Sequence, residues 1–131
     1  MARASYSGIT ETEERLGRLG RDGIRRIVEA GSNAARARMT ALTAQTHRRT
    51  GDLAASVRPG KLYEGYRSAS QEVDFSGSHG AGITNHDLAY ILDNGRPGDG
   101  FITRQEKRID QDVAEAMQAE SDRILAEADA E

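Results

Sequence analysis

The stretch Thr50-Gly51-Asp52-Leu53-Ala54-Ala55-Ser56-Val57 lies between a long helical pattern and a region of strand-like alternation. Thr50-Gly51 is expected to end the helical pattern, because glycine adopts the backbone conformations at which helices stop. Asp52 is a residue type that caps helices, so a short helix is expected over residues 53–57. Pro59-Gly60 is expected to stop that helix. The stretch therefore predicts a turn that carries the chain from a long helix into a sheet.

Two further segments also predict joints between elements. Ala89-Tyr90-Ile91-Leu92-Asp93-Asn94-Gly95 is an apolar run that ends in a turn dipeptide, and Gly100-Phe101-Ile102 opens a second long helical pattern. Ser56 has no nearby base and no nucleophile-elbow pattern, so it is expected to cap or line a turn. The three segments contain no catalytic constellation, which favours a building block over an enzyme.

Apolar residues at three- and four-residue steps predict one helix over residues 10–46 and another over residues 102–128. The apolar stripe of the first helix comprises Leu16, Ile24, Ile27, Ala34, Ala35, Met39 and Leu42. The stripe of the second comprises Ile102, Ile109, Val113, Ala116, Met117, Ile124 and Ala128. Each stripe is one face that the helix is expected to bury.

Glycines interrupt the first helical pattern. Gly17, Gly20 and Gly23 recur every third residue, and Gly31-Ser32 forms a second weak point. Glycine lowers helix stability by up to about 1 kcal/mol relative to alanine, so the helix is expected to kink or split near residues 20–23 or 31–32. The alternative is that the glycines let a neighbouring helix approach closely.

The region between the two helices predicts a small sheet. Residues 61–66 and 70–75 place Tyr, Val and Phe at alternating positions, which is typical of strands. Residues 76–84 are rich in Gly and Ser and are expected to form a loop. Asn85 or Asp87 is expected to cap a short helix or strand over residues 88–92.

Together these patterns predict an α+β fold, with two long helices packed on a small, mainly antiparallel sheet. Residues 1–9 are expected to form an extended or mobile N-terminal arm, and residues 10–131 a single α+β domain. No apolar run is long enough to cross a membrane, so no membrane partner is expected.

The apolar core is expected to be thin. Apolar residues make up 37% of the chain and aromatic residues 5%, with no Trp and two Phe. Globular domains usually have about 45–50% apolar residues. Burial against copies of the same chain would supplement such a core, although a small, modestly stable monomer is equally compatible with the composition. The absence of cysteine excludes disulfides and thiolate metal sites.

Charge is distributed unevenly along the chain, although the net charge is only −3. Arginine predominates over acidic residues in the first helical pattern, and acidic residues predominate in the last. One interpretation is that unlike faces of neighbouring copies meet, with Arg25, Arg26, Arg36 and Arg38 as interface candidates. An alternative is that these arginines bind nucleic acid without sequence preference, and a third is that both faces are simply solvated.

Metal chemistry has one candidate site. His79, His86 and Asp87 would be the ligands if the chain were a small metal-dependent hydrolase. Their spacing matches none of the usual helical or finger patterns, and the glycine-rich residues 77–82 lack the lysine of a phosphate-binding loop. No metal and no cofactor are therefore expected.

The three segments together resemble the HK97 gp10-like family of tailed bacteriophages, which comprises neck, tail-completion and tail-terminator proteins. That family has an N-terminal helix, a Thr-Gly-x-Leu-x-x-Ser-[Ile/Val] segment and a strand region. Tyr-Ala-x-x-[Leu/Val]-Glu-x-Gly, Pro-Phe-[Leu/Ile] and a C-terminal helix follow. The likeness covers about residues 10–128, with Asp93 where the family usually has Glu and Gly100 where it usually has Pro. The motif positions here are Thr50, Gly51, Leu53, Ser56, Val57, Ala89, Tyr90, Ile91, Leu92, Asp93, Gly95, Phe101 and Ile102.

The resemblance implies a structural protein of the phage head–tail interface rather than an enzyme. It implies a homo-oligomeric ring, with six copies expected, between a head-connector or stopper protein and a tail tube protein. DNA would at most pass through the lumen of that ring. The protein would be located in the neck or tail of the virion and be assembled in the host cytoplasm.

Overall fold

The long amphipathic pattern near the N-terminus forms one helix, against which the sheet and the last helix pack. The computed structural model describes residues 2–7, 10–47, 51–66, 68–95 and 98–130, with side chains for Arg3 and for residues 20–127 within these ranges. The elements are β1 (Ala2–Ser7), α1 (Thr10–Thr46), α2 (Asp52–Ala55), β2 (Val57–Gly65), β3 (Ser68–Phe75), β4 (Ser78–Gly80), β5 (Ile83–Thr84), α3 (Asn85–Asn94), a 3₁₀ turn (Thr103–Gln105) and α4 (Glu106–Ala130). The predicted α+β class, with two long helices and an antiparallel sheet, is confirmed.

Helix α1 is interrupted at one of its glycines. Gly20 has φ 67° and ψ −177°, a backbone conformation that is essentially restricted to glycine. The predicted break near residues 20–23 is therefore confirmed. Gly31 and Ser32 continue the helix without a break, and the hydroxyl of buried Ser32 donates a hydrogen bond of 2.7 Å to Oε1 of Gln71 on β3.

The main sheet has three antiparallel strands in the order β1-β3-β2. Residues 2–7 of the expected arm are extended and form β1, which pairs with β3 along its whole length. Strand β2 starts at Val57, so the prediction that Pro59-Gly60 ends a helix is wrong. Pro59 is tolerated inside β2 because this is an edge strand, and the pairing with β3 is irregular between Pro59 and Leu62.

A small hairpin replaces the loop predicted over residues 76–84. Strands β4 and β5 pair antiparallel, and the turn between them has positive φ at Ala81 (53°) and Gly82 (78°). Two consecutive residues with positive φ produce the twist that a two-residue hairpin turn requires. The prediction of a loop overlooked this hairpin because its strands are short and mostly exposed.

The helix caps of α2 and α3 differ from the predicted ones. The residue before α2 is Gly51, with φ 76°, and Asp52 is the first helical residue rather than the cap. Helix α3 is capped by Thr84, whose Oγ1 accepts a hydrogen bond of 3.1 Å from the backbone N–H of Asp87. Neither Asn85 nor Asp87 caps it, although the element over residues 88–92 is indeed helical.

The core lies between α1, the inner face of the sheet and α4. Its largest fully buried apolar side chains are Ile27, Val28, Met39, Val57, Val73 and Ile109. The predicted stripes supply most of it: Ile24, Ile27, Ala35 and Met39 from α1, and Ile102, Ile109, Val113, Met117 and Ile124 from the region of α4. Leu16 and Ala128 lie outside the described side chains.

Phe101 connects the start of the last helix to this core. It is 6% exposed, and its ring centroid lies 4.6 Å from that of His47 at the end of α1 and 6.3 Å from that of Phe75 on β3. Nε2 of His47 also lies 2.7 Å from Oδ2 of Asp99. Three elements therefore meet at one aromatic ring.

Phe101→Ala should lower the free energy of unfolding by about 3–5 kcal/mol, because the ring leaves a cavity among α1, β3 and the start of α4. Urea denaturation measures the change. Tyr63→Ala, which removes a ring that is 61% exposed, is the matched control and should change stability by no more than about 0.5 kcal/mol. Equal effects of the two substitutions would show that Phe101 does not pack as described.

Candidate functional site

A buried carboxylate joins the end of α3 to the start of the last helix. Asp93 is 6% exposed. Its Oδ1 accepts hydrogen bonds from the backbone N–H groups of Ile102 (2.9 Å) and Thr103 (3.0 Å). Its Oδ2 accepts from the hydroxyl of Thr103 (2.5 Å) and from Nδ2 of Asn94 (3.0 Å). Four donors therefore converge on one side chain.

The position of Asp93 explains why a carboxylate suits the joint, which is the connection from Asp93 at the end of α3 to Thr103 at the start of the 3₁₀ turn. Ile102 and Thr103 are at the start of the 3₁₀ turn that leads into α4, where backbone N–H groups have no partner within the helix. A negative charge at such an end also interacts favourably with the helix dipole. Backbone bonds reinforce the joint, because the N–H of Gly100 donates to the carbonyl of Asp93 and that of Asp99 to the carbonyl of Leu92, both at 3.0 Å.

Two opposing effects determine the charge state of Asp93. Burial favours the neutral acid and by itself would raise the pKa. The hydrogen bonds from Thr103, Ile102 and Asn94 favour the anion more strongly, so the pKa of Asp93 is lowered below its ordinary value. The joint therefore contains an ionised carboxylate at neutral pH.

Hydrogen bonds connect the first motif segment to α3 through Ser76, which lies just before the hairpin. The hydroxyl of Ser56 donates to the carbonyl of Leu53 (2.7 Å), which closes the turn after α2 as expected for this serine. The backbone N–H and the hydroxyl of Ser76 both donate to the carbonyl of Ser56 at 2.9 Å. Nδ2 of buried Asn85 then donates to the carbonyl of Ser76 at 2.7 Å, which connects this turn to α3.

Most motif positions have a structural role in the same region. Leu53 and Ala89 are buried in the core. A side chain at Gly95 would place its Cβ 2.3 Å from the carbonyl oxygen of Ile91. The end of α3, where the chain passes close to its own last turn, therefore requires glycine. Tyr90 and Ile91 are exceptions, with 59% and 51% of their surfaces exposed. Thr50 lies outside the described residues.

Three of the four candidate interface arginines pair with carboxylates of the same chain. Arg26 contacts Glu120 (2.9 Å) and Glu127 (3.2 Å) on α4. Arg38 donates to Asp112 on α4 at 2.6 Å, and Arg25 donates to Glu64 on β2 at 3.0 Å. Arg36 is exposed and has no ion pair among the described residues.

Part of the uneven charge along the chain is therefore neutralised within one molecule. Helices α1 and α4 pack against each other, and Arg26 and Arg38 of α1 meet carboxylates of α4. Opposite charge on these two helices does not by itself indicate contact between copies.

The three residues of the proposed metal site do not converge. Nδ1 of His86 lies 2.5 Å from Oδ2 of Asp74 on β3, whereas His79 is on the exposed strand β4. The backbone N–H of Asp87 donates to the helix cap Thr84. Within the described ranges, no group of three or more His, Cys, Asp and Glu side chains could hold a metal ion.

A cleft beside the joint was not predicted from the sequence. It has a volume of about 490 Å³ and lies between β1, α3 and the start of α4. Tyr90, Asn94, Glu106 and Asp110 are on its walls, together with Arg3 and His86. Arg3 is paired with Glu72 at 2.6 Å and His86 with Asp74, so Glu106 and Asp110 are the exposed carboxylates of this cleft, and neither has an ion pair among the described residues.

Comparisons with protein-family models, curated proteins and solved structures find no match to this chain. In the part of the chain that the structure describes, no helix is long and apolar enough to cross a membrane.

Reversing the charge of Arg26 should destabilise the fold, because Arg26→Glu places a carboxylate against Glu120 and Glu127 across the α1–α4 contact. Arg36→Glu is the matched control on the same helix and should leave the urea midpoint unchanged. The difference should shrink at high salt, since these side chains are partly exposed to solvent. Equal midpoints for the two variants would show that the α1–α4 ion pairs do not contribute to stability.

Asp93→Asn should lower the free energy of unfolding by about 1–3 kcal/mol, because an amide cannot accept from all four donors. Since the pKa of Asp93 is lower in the folded chain, its stabilising contribution is fully present above the unfolded-state pKa of about 4 and is lost as pH falls through the folded-state value. The stability advantage of the wild type should therefore shrink in acid. Urea midpoints of both proteins across the acid range test this, and a constant difference would contradict it.

Proposed function

We propose that this protein is a structural component of the head–tail interface of a tailed phage or a phage-like particle. It would form a ring there as a tail-terminator, tail-completion or neck protein. The observation that carries the proposal is the convergence of the motif segments that resemble the HK97 gp10-like family. Leu53, Ala89 and Phe101 belong to one core, and the bonds of Ser56 and Asp93 connect the elements around it.

This convergence supports the family resemblance because the segments are distant in the sequence. A motif maintained for catalysis would direct reactive side chains at a cleft. Here the buried motif side chains fill the core or satisfy backbone donors at element ends. They are residues that maintain a particular architecture, and a structural function fits an architecture of that kind.

Exposed apolar side chains support contact with other subunits. Four large hydrophobic side chains of the described residues are exposed, namely Tyr63, Tyr66, Tyr90 and Ile91. Aromatic residues are enriched at the centres of protein interfaces. A protein that functions by assembly needs such surfaces, whereas a monomeric enzyme of this size does not.

The alternative is a nucleic-acid-binding module that uses the arginine-rich helix. Three of its four candidate arginines donate to carboxylates of the same chain, which removes charge that would otherwise neutralise phosphates. The net charge of −3 also opposes attraction to nucleic acid. The geometry therefore gives this alternative less support.

Native mass spectrometry and electron-microscopy class averages of the purified full chain test the proposal. The expected result is a closed ring, with six copies as the favoured number. A protein that is monomeric up to its solubility limit would overturn the ring assignment. Salt-dependent retention on DNA by such a monomer, weakened in Arg36→Glu, would establish the nucleic-acid alternative instead.

A further inference from the structure

The large exposed hydrophobic side chains form two separate patches. The tyrosine patch comprises Lys61, Tyr63 and Tyr66, from the middle of β2 to the turn that follows it. The cleft patch comprises Tyr90, Glu106 and Asp110 on the walls of the cleft, and Ile91, the exposed residue that follows Tyr90 on α3 outside those walls. Exposure is 61% for Tyr63 and 87% for Tyr66, and 59% for Tyr90 and 51% for Ile91. Each patch thus combines two large hydrophobic side chains with charged groups.

The charges of the two patches are opposite. Nζ of Lys61 lies over the ring of Tyr63, 5.5 Å from its centroid. Lys61 forms no ion pair among the described residues. In the cleft patch the carboxylates of Glu106 and Asp110 are exposed, whereas Arg3 and His86 of the cleft contact Glu72 and Asp74.

Tyr66 and the cleft lie at opposite ends of β3. Tyr66 is in the turn that precedes Ser68, the first residue of β3. The cleft is next to the other end of β3, because His86 on its wall contacts Asp74. Asp74 comes six residues after Ser68 along this extended strand, a distance of about 20 Å. Tyr66 therefore cannot enter the cleft of its own molecule.

We propose, on the basis of the proposed ring function, that the tyrosine patch of one copy docks into the cleft patch of the next copy. Lys61 then faces Glu106 and Asp110, and the exposed hydrophobic side chains of both patches are buried together. A contact between two different surfaces is heterologous, and repetition of a heterologous contact closes a ring when its rotation permits. The occupant of the cleft is thus a second copy of this chain.

Cross-linking of introduced cysteines tests this contact, and the absence of native cysteine excludes background reaction. Tyr66→Cys and Ile91→Cys are placed at the patches in separate full-length chains, which leaves Tyr63, Tyr90 and the charged groups in place. After mixing and treatment with a short bismaleimide, linked pairs of chains are expected, whereas each variant alone should give none. The double variant should give a ladder of linked chains that ends at the copy number of the ring.

Charge exchange provides a second measurement. Lys61→Glu alone and Glu106→Lys with Asp110→Lys should each cause loss of assembly. The combination of all three changes should restore it, because the attraction is re-formed with reversed sign. Circular dichroism checks that each variant remains folded, and Arg36→Glu serves as a charge reversal outside both patches.

The outcomes separate this contact from the proposed function. A ring that lacks the Tyr66–Ile91 cross-link and tolerates the charge reversals would overturn this contact and leave the ring function intact. Cross-linking of either single variant with itself would show a contact between identical surfaces and would also overturn it. A chain that remains monomeric overturns both the contact and the ring.

Discussion

The carboxylate of Asp93 is the interaction on which the arrangement of the elements depends. It satisfies backbone donors at the start of the last helix from a position in the last turn of α3. Without it, two N–H groups would be buried without partners, at a cost comparable to a large part of the stability of a small domain. The joint determines where α4 begins and therefore how α4 lies against α1. The ion pairs of Arg26 and Arg38 with α4 depend on that placement.

Ion pairs between α1 and α4 of the same molecule change how the charge pattern of the sequence is interpreted. Arginines on α1 and carboxylates on α4 look like two surfaces for neighbouring copies when only the sequence is considered. Once the helices are adjacent, Glu120 is shared by Arg26 and Arg123 and is almost fully buried. Charges that satisfy each other in this way contribute little attraction to a partner. Charged groups without ion pairs among the described residues, such as Lys61 and Glu106, are the more informative ones for the proposed assembly.

The sequence predicted the elements that have a periodic pattern along the chain. It missed the strand, the ion pairs and the hydrogen bonds that depend on residues far apart in the sequence. The stripe from Ile24 to Met39 predicted α1 because a helix buries every third or fourth residue. Strand β1 was missed as a strand because Ala2–Ser7 consists mainly of small and polar residues, and its pairing depends on β3, almost seventy positions away. The partners of Asp93 and Arg26 were likewise unpredictable, since many carboxylates and donors are available in the chain. The caps were wrong by one residue or more because several neighbouring residues were suitable caps.

Apart from Tyr90 and Ile91, the motif residues and the proposed contact surfaces are different parts of the molecule, yet the buried motif residues would govern the contact. A heterologous contact closes into a ring only when the angle between its two surfaces matches the symmetry. In the proposed ring, the tyrosine patch is carried by β2 and the turn that follows it, and the cleft patch by α3 and α4. The bonds of Ser76, Asn85 and Asp93 connect these elements. A small change in this joint would rotate one patch relative to the other and alter every contact around the ring equally. Because the angle between the two patches depends on the joint, there is a physical reason why most motif residues of the proposed ring protein are in a buried joint and not on an exposed surface.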